Sequence, residues 1–285
     1  MEERMNTTCD VLIVGGGVMG TSVAFHLARR KVGRVVLLEK SHLAAGSSGK
    51  SGAIIRQHYS NVLTAAMAQK SLRVFENFPD VVGGPVVFTH TGMAIVVNQR
   101  DLPGLEANIA LQQGLGIRVN KITAQELTEL DPNAHLADDE VAAFESEAGF
   151  VEAVQVVASF ADAARQRKAD IRLGVEVRSL IVEKERIAGV ETNEGTYHCR
   201  ALVLCTGPWA AALLKPLRID LPVRACRTQV ALFRKPVDYT RRGLVYGDFV
   251  QQIYFKPTHG EMLHAGSLAG EEAENPVNPD HYPEA

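Results

Sequence analysis

The sequence predicts an α/β fold in which a parallel-sheet domain is joined to a second α+β domain built on a mixed, largely antiparallel sheet. A strand, a helix and another strand follow one another over residues 11–38, and an apolar strand at 201–205 ends abruptly in Thr206-Gly207. Residues 222–268 contain successive strand-like segments. The chain has 285 residues, and at about 150 residues per domain two domains are expected.

The composition is that of a globular protein without an obvious polyanionic partner. Hydrophobic residues make up 46% of the chain, and 30 Lys and Arg against 33 Asp and Glu give a net charge of −3. This balance argues against nucleic-acid or membrane-surface binding, which needs a basic excess. No apolar run approaches the roughly 20 residues of a membrane span. The polar start MEERMNTTCD predicts no signal peptide, so we expect a cytoplasmic protein, with the mitochondrial matrix left open.

The cysteine and histidine patterns predict no metal site. The four cysteines form no C-x-x-C pair, and the nine histidines form no H-x-H or H-E-x-x-H cluster. Cys199 and Cys205 are six residues apart in a strand-like run, and we expect them to be small buried hydrophobic residues in a reducing compartment.

A glycine-rich turn follows the first strand and opens the first helix. Gly15 permits a tight turn, Gly17 lets the backbone approach a pyrophosphate, and Gly20 allows the helix to pack closely on the strand. The helix N-terminus, at Val18 and Met19, offers N–H groups and partial positive charge to phosphates. This is the pattern of a Rossmann-like dinucleotide-binding unit.

The second strand of this unit, at 35–38, ends at Glu39. A carboxylate there can accept hydrogen bonds from both ribose hydroxyls of a dinucleotide. The glycine pattern alone does not separate NAD from FAD, because both contain an ADP half.

Residues 44–51 offer a competing interpretation as a phosphate-binding P-loop. Ala44, four residues and then Gly49-Lys50-Ser51 fit a relaxed form of that motif. A P-loop needs a strand directly before it and a helix opening at Lys-Ser, whereas here the strand has already ended and glycine with paired isoleucines follows. The alternative is a loop rich in glycine and serine that lines a cofactor.

The rest of the chain alternates between predicted helices and strands. Pro79 is expected to end the helix over 61–78, and Gly92 lies near the turn of a predicted hairpin over 86–97. Further segments are predicted as helices at 101–118, 123–130 and after 152, a solvated loop at 138–140, strands at 171–177, 179–183 and 201–205, and a poorly ordered tail at 271–285. The strand at 201–205 is expected to return to the first sheet, which would bring Thr206 and Gly207 beside the same cofactor as Gly15.

Taken together, the motifs resemble a known family of flavoproteins. The segments are DVLIVGGGVMG (10–20), LLEK (37–40), AGSSGKSGAIIRQHY (45–59), GFVEA (149–153), GVEV (174–177), ALVLCTGPW (201–209) and IYFKPTHGEMLHAG (253–266). In this order they resemble the D-amino-acid oxidase and sarcosine oxidase family, above all its sarcosine oxidase β-subunit and dimethylglycine dehydrogenase type.

The resemblance implies an FAD-binding domain of the glutathione-reductase type and FAD rather than NAD. It implies an FAD-binding domain at 1–84 and 146–215 and a substrate domain at 85–145 and 216–285. Lys50 stands where some relatives attach flavin through a histidine, so non-covalent FAD is expected. Family chains continue to a segment that covers the flavin, and nothing after residue 270 resembles it. The chain is therefore expected to be a fragment or to be completed by another chain.

The resemblance also implies cofactor contacts. Glu39 and Lys40 would hold the ribose region, and Val177 would offer its backbone to the adenine. The residues expected to line the pyrophosphate and flavin or to flank the cofactor are Ser47, Ser48, Gly52, Thr206, Gly207 and Trp209.

Four residues are the candidates for catalysis. Arg56 resembles the family arginine that grips a substrate carboxylate with two parallel hydrogen bonds, although a structural ion pair is the alternative. Tyr254 matches an active-site aromatic or a core tyrosine. His264 stands about where oxygen-using relatives have a lysine, which favours a dehydrogenase, or is a buried strand histidine. His58 is a weaker candidate.

Three functions remain open at this point. The first is an FAD-dependent oxidoreductase that oxidises the C–N bond of a small amino acid or N-methylated glycine, with an electron-acceptor protein or partner subunit. The second is a P-loop phosphotransferase using Lys50 and ATP, and the third is a non-catalytic flavin-binding subunit.

Overall fold

The computed structural model describes residues 5–223, 225–226, 228–239, 243–258 and 260–268. The strands are β1 (Met5–Val14), β2 (Val35–Glu39), β3 (Ile54–Ile55), β4 (Thr89–His90), β5 (Met93–Asn98), β6 (Val119–Ile122), β7 (Glu140–Glu145), β8 (Gly149–Phe150), β9 (Asp170–Leu173), β10 (Val177–Glu183), β11 (Arg186–Thr192), β12 (Gly195–Leu204), β13 (Val230–Arg234), β14 (Val245–Asp248), β15 (Ile253–Pro257) and β16 (Met262–Ser267). The helices are α1 (Val18–Arg29), α2 (Val62–Glu76), α3 (Phe78–Val81), α4 (Leu102–Gly114), α5 (Ala124–Leu130), α6 (Ala153–Gln166) and α7 (Ala210–Leu214). The tail predicted at 271–285 lies outside the described residues.

The first sheet has the strand order β10-β11-β12-β1-β2-β9. β1 runs parallel to both β2 and β12, and β9 is parallel to β2. The apolar run of β1 is buried, as expected for a strand covered on both faces. The predicted βαβ unit and the return of the strand at 201–205 to this sheet are both confirmed, since Val11 lies opposite Val35 and Ala201.

A second sheet has the order β13-β16-β15-β14-β5-β7-β6, and a small third sheet has the order β3-β8-β4. In the second sheet only the β14–β5 pair is parallel among the described strands. The predicted fold class is therefore confirmed. The first sheet takes its strands from residues 5–39 and 170–204, and the second from 93–145 and 230–267. These ranges suit the predicted domain boundaries, which stay a proposal.

The hairpin predicted over 86–97 is wrong. β4 pairs with β8 of the small sheet, whereas β5 pairs with β7 and β14 of the second sheet. Gly92, with a φ of +73°, carries the chain from one sheet to the other. A Cβ at this position would lie 2.4 Å from the Phe144 ring, so a larger residue could not make the crossing.

Several predicted boundaries also needed correction. The helix predicted over 101–118 ends at Gly114 and is followed by β6, which was not predicted. β7 was also missed, and Glu140 of the predicted 138–140 loop begins it. The strand predicted over 171–177 ends at Leu173 because Gly174 has a φ of +78°. The helix predicted over 61–78 ends at Glu76, and Pro79 lies in the first turn of α3.

The main core lies where α1 and α6 pack beside the first sheet. Phe25, Phe78 and Phe160 contribute a cluster of aromatic rings with centroids 5.1–5.6 Å apart. This packing fixes the start of α1, and with it the glycine turn. No helix within the described part of the chain is long and apolar enough to cross a membrane.

Candidate cofactor and substrate site

The glycine turn brings β1, β12 and α1 into direct contact. Gly15 has a φ of +109°, and a Cβ on it would lie 2.4 Å from the carbonyl oxygen of Cys205, directly after β12. A Cβ on Gly20 would lie 1.9 Å from the carbonyl oxygen of Gly15. Only glycine allows this turn and this close approach of helix to strand.

Two side chains tie neighbouring segments to this turn. Glu39, at the end of β2, accepts a hydrogen bond from the Gly16 N–H at 2.7 Å and one from the Ser41 N–H at 2.9 Å. The Ser48 hydroxyl accepts one from the Val18 N–H at 3.0 Å. The predicted ribose carboxylate and one predicted loop serine therefore meet at the start of α1.

The other predicted cofactor residues lie around the same end of the first sheet. The Lys40 Nζ lies 4.6 Å from the centre of the Trp209 ring. Val177 begins β10, and two residues before it the Val175 N–H donates to the Glu39 carbonyl at 3.0 Å. Ser47 lies in the same turn-rich segment as Ser48. Met19 is the second residue of α1, and it is 64% exposed.

The turn also has the features that a bound dinucleotide requires. The Thr206 hydroxyl oxygen is buried and has no hydrogen-bond partner among the described residues. Gly207, with a φ of +53°, has open space where a side chain would be. A Cβ on Gly17 would meet the Ser48 hydroxyl at 3.0 Å, so a larger residue there would crowd the serine that accepts the Val18 N–H. An unused polar group and free space beside a helix N-terminus fit the diphosphate of FAD.

The P-loop interpretation of Lys50 is wrong for this geometry. Residues 41–51 form turns, and the segment continues into the short strand β3. No helix begins between residues 41 and 61, all of which the structure describes. A P-loop requires a helix opening directly at the lysine, because its N-terminal N–H groups hold the phosphates.

Arg56 lies directly after β3, in a coil segment that ends at Tyr59. Its Nη1 donates to the His58 carbonyl, and its guanidinium lies 4.4 Å from the centre of the Tyr59 ring. Within the described part of the chain no carboxylate forms an ion pair with Arg56. The described residues therefore offer no carboxylate for a structural ion pair with Arg56, and the other N–H donors of its guanidinium remain for a ligand.

His58 is buried beside Arg56. Burial, with the charge of Arg56 adding to it, lowers the pKa of His58 to about 4, so its imidazole is neutral at pH 7. Its Nδ1 has no hydrogen-bond partner among the described residues. The predicted catalytic role of His58 stays a prediction, and its surroundings are those of a packed residue.

Tyr254 and His264 meet at Gly52. They belong to the adjacent strands β15 and β16, and their ring centroids are 6.1 Å apart. A Cβ on Gly52 would lie 3.5 Å from an atom of each ring. The predicted cofactor loop thus touches the sheet that carries two candidate catalytic residues.

Burial sets the charge state of both rings. It raises the pKa of Tyr254, and it lowers the pKa of His264, with the charge of Lys256 lowering it further. The His264 Nε2 is buried and lacks a partner among the described residues. We therefore expect a neutral imidazole and a protonated phenol at pH 7.

Two buried charged residues beside these groups were not predicted from the sequence. Lys256 is 5% exposed, its Nζ lies 4.1 Å from the centre of the Phe150 ring, and burial lowers its pKa. It is two residues from Tyr254 and opposite His264, so the period of two in a strand could have revealed it. Glu145 ends β7, and no sequence signal identified it because that strand was not predicted.

Comparison with known proteins identifies the family. Residues 10–285 match the family DAO, described as FAD dependent oxidoreductase. The chain belongs to this family. The expected resemblance, the class of FAD-dependent oxidoreductase and FAD as the cofactor are therefore confirmed at the level of the family.

Individual relatives are distant and longer. The chain is 29% identical to a mitochondrial pyruvate dehydrogenase phosphatase regulatory subunit of Mus musculus, over 90% of this chain and 30% of the relative. It is 27% identical to a sarcosine oxidase subunit beta of an Arthrobacter species, over 89% of this chain and 64% of the relative. The chain thus spans less than two thirds of these relatives.

A solved structure supports the fold. The L-proline dehydrogenase of P. horikoshii superposes with a TM-score of 0.86 at 21% identity, covering 93% of this chain and 71% of the other.

Proposed function

We propose that this chain is an FAD-dependent oxidoreductase that oxidises the C–N bond of a small amino acid or N-methylated glycine, of the sarcosine or dimethylglycine type. The observation that carries the proposal is Arg56, a half-buried guanidinium with no ion-pair partner among the described residues. It lies four residues after Gly52, where the cofactor loop contacts Tyr254 and His264. The beta subunit of Arthrobacter sarcosine oxidase, as a relative, supports the same substrate class.

In this proposal the chain's residues bind and orient the substrate. Arg56 donates two parallel hydrogen bonds to the carboxylate, which fixes one end of a small amino acid. Neutral His264 and the protonated Tyr254 phenol would line the other end, with the buried Lys256 opposite His264. Burial of the amine there favours its neutral form, which can lose hydride more readily. FAD, when bound, supplies the acceptor for the hydride and its two electrons.

We propose that FAD would be held without a covalent bond by the glycine turn. Glu39 and Ser48 already meet the backbone of Gly16 and Val18, which supports their place in the cofactor site. Thr206, whose backbone lies beside Gly15, offers the unused hydroxyl.

A dehydrogenase is proposed rather than an oxidase. Neutral His264 lacks the fixed positive charge that stabilises a developing superoxide. Lys256 lies on the same face of the sheet, so the protein does hold one lysine near this position. Admitting oxygen to the substrate-reduced protein tests the point: slow reoxidation by oxygen, with fast reoxidation by an artificial acceptor dye, supports a dehydrogenase, and fast reoxidation by oxygen contradicts it.

The direct test of substrate binding is Arg56→Ala. The full chain loaded with FAD is titrated anaerobically with sarcosine and with dimethylamine, which lacks the carboxylate, while the visible absorbance is followed. Losing hydrogen bonds to a charged group costs about 1.5–3 kcal/mol, so sarcosine should bind about 10- to 100-fold more weakly. Arg56→Lys should recover part of the affinity.

The matched control is Arg73→Ala, because Arg73 is exposed on α2. It should leave both titrations unchanged. If Arg56→Ala responds to sarcosine as the unmodified protein does, the carboxylate role of Arg56 is wrong.

A second candidate is a flavin-binding subunit without turnover of its own. It is favoured by the mouse relative, whose name is that of a regulatory subunit and which matches over 90% of this chain. The same anaerobic titration separates the two candidates. Bleaching of the flavin absorbance by an amine supports an enzyme, whereas unchanged absorbance with every amine tested supports the subunit.

The remaining partners follow from the proposal. A small amino acid or amine is the substrate, and an electron-acceptor protein or partner subunit would complete the reaction. The cytoplasm, with the mitochondrial matrix as the alternative, is proposed as the location.

A further inference from the structure

The coil that carries Arg56 has no regular structure of its own. Residues 56–60 lie between β3 and α2 and belong to neither. Their backbone must therefore find hydrogen-bond partners elsewhere in the fold. Gln112 of α4 supplies one, because its Nε2 donates to the Tyr59 carbonyl at 3.1 Å.

Glu145 supplies the others from the end of β7. Its Oε1 accepts the Gln57 N–H at 2.8 Å, and its Oε2 accepts the His58 N–H at 3.0 Å. The Gln57 side-chain Nε2 also donates to Oε1, at 3.3 Å. The Glu145 side chain is fully buried. One carboxylate thus holds two consecutive N–H groups directly after Arg56.

The hydrogen bonds of Glu145 act on the Arg56 guanidinium through the backbone of the coil. Arg56 Nη1 donates to the carbonyl of His58, the residue whose N–H Glu145 holds. That carbonyl belongs to the next peptide unit along the chain, one residue's backbone rotation beyond the N–H that Glu145 holds. The guanidinium then rests on the ring of Tyr59, the next residue in the chain.

We infer that Glu145 is a positioning residue, whose carboxylate clamps the Gln57 and His58 N–H groups and so presets the Arg56 guanidinium for a substrate carboxylate. The inference rests on the proposed function, because it presumes that Arg56 binds a carboxylate. It assigns to Glu145 no contact with substrate or cofactor. A preset guanidinium loses less conformational entropy when it binds.

The alternative is that Glu145 acts through its charge. The groups that face it are Arg56, Gln57 and His58 from the coil, Met93 of β5 and Val119 of β6. Glu147, which pairs with Arg118 at 2.8 Å, meets the same Gln57 side chain at 3.4 Å. A negative charge near Arg56 would weaken its attraction for an anion. The clamp and the charge therefore predict opposite effects on carboxylate affinity when Glu145 is neutralised.

The experiment measures acetate binding to the full chain loaded with FAD by isothermal titration calorimetry. The variants are Glu145→Gln, Arg56→Ala and the control Glu140→Gln. Glu140 begins the same strand, and its carboxylate also accepts a backbone N–H, that of Ala137, at 2.9 Å. We expect Glu145→Gln to weaken acetate binding about tenfold, because the amide can accept only one of the two N–H bonds. Glu140→Gln should bind acetate like the unmodified protein.

Each result has a separate meaning. Normal acetate binding by Glu145→Gln, or tighter binding, overturns the positioning role. Normal binding by Arg56→Ala overturns the proposed function itself. FAD content and FAD affinity are measured for every variant, because general damage to the fold would lower them together with acetate binding. A positioning role predicts that Glu145→Gln keeps both.

The unmodified protein gives a second measurement should Glu145→Gln fail to fold. Burial raises the pKa of Glu145 to about 7, so its carboxylate is mostly protonated at pH 6 and mostly ionised at pH 8. Acetate stays ionised in this range, and His58, with a pKa of about 4, stays neutral. The clamp predicts weaker acetate binding at pH 6 than at pH 8. Equal or tighter binding at pH 6 overturns it.

Discussion

A pair of glycine-to-alanine substitutions tests how the cofactor turn is built. Gly20 and Gly104 are each the third residue of a helix, α1 and α4 respectively. A Cβ on Gly104 meets nothing within 4 Å, whereas a Cβ on Gly20 would lie 1.9 Å from the carbonyl oxygen of Gly15. Gly104→Ala therefore adds a methyl group in open space, whereas Gly20→Ala adds the same group against the glycine turn.

The two substitutions should change stability in opposite directions. Alanine is the better helix residue, so Gly104→Ala should raise the free energy of unfolding by about 0.5 kcal/mol. Gly20→Ala has the same gain, but a carbon-to-oxygen contact normally needs about 3.3 Å. The helix or the turn must shift by more than 1 Å, and overpacking of this kind costs about 1–3 kcal/mol. Gly20→Ala should therefore be less stable than the unmodified protein.

The same shift moves the Gly15 backbone, and with it the proposed diphosphate site. A loss of about 1.4 kcal/mol in binding would lower FAD affinity about tenfold. Urea denaturation of the FAD-free chain measures stability, and quenching of flavin fluorescence measures affinity. If Gly20→Ala gains stability as Gly104→Ala does and binds FAD normally, the reasoning from the Gly15–Gly20 contact is refuted.

Two further predictions concern buried polar groups. Asp131→Ala should lower the free energy of unfolding, measured by urea denaturation, by about 3 kcal/mol. The buried Asp131 carboxylate accepts hydrogen bonds from Asn133, Leu244 and Tyr246, and these donors would lose their partner. An unchanged denaturation midpoint would contradict this. The pKa of His58 is about 4 in the folded protein and about 6.5 in the unfolded chain. Between these pH values the unfolded chain binds a proton that the folded protein does not, so lowering the pH from 6.5 to 4 favours unfolding. Relative to His58→Gln, the unmodified protein should lose up to about 3 kcal/mol in its free energy of unfolding. A difference independent of pH would show that His58 is not buried in its neutral form.

The first sheet could be predicted because its signals are local. The buried run of β1, the glycine turn and α1 follow one another without a gap, and each part requires the next. β12 could be joined to the same sheet because a second apolar run, half-buried in the structure, also ends in a turn containing glycine. Glu39 and Ser48 were then found where the strand ends and the loop begins, and the structure joins both to the turn.

The second sheet resisted prediction because its partners are distant in the sequence. β5 lies between β7 and β14, and nothing within residues 93–98 indicates either neighbour. Two adjoining strand-like segments at 86–97 therefore suggested a hairpin, whereas the chain passes from one sheet to another at Gly92. Glu145 was not predicted for the same reason, because its burial depends on β5 and β6, which cover the end of β7.

The coil around Arg56 shows how a buried carboxylate can leave a nearby cation available. A buried Glu beside an arginine would normally be expected to form an ion pair, since burying an unpaired charge is costly. Here the oxygens of Glu145 are taken up by the N–H groups of Gln57 and His58 instead. The burial cost appears as a raised pKa for Glu145 and not as an ion pair that would occupy Arg56. Apart from the Nη1 bond to the His58 carbonyl, the guanidinium therefore keeps its donors for a ligand, while the Glu145 carboxylate holds two N–H groups of the coil that carries it.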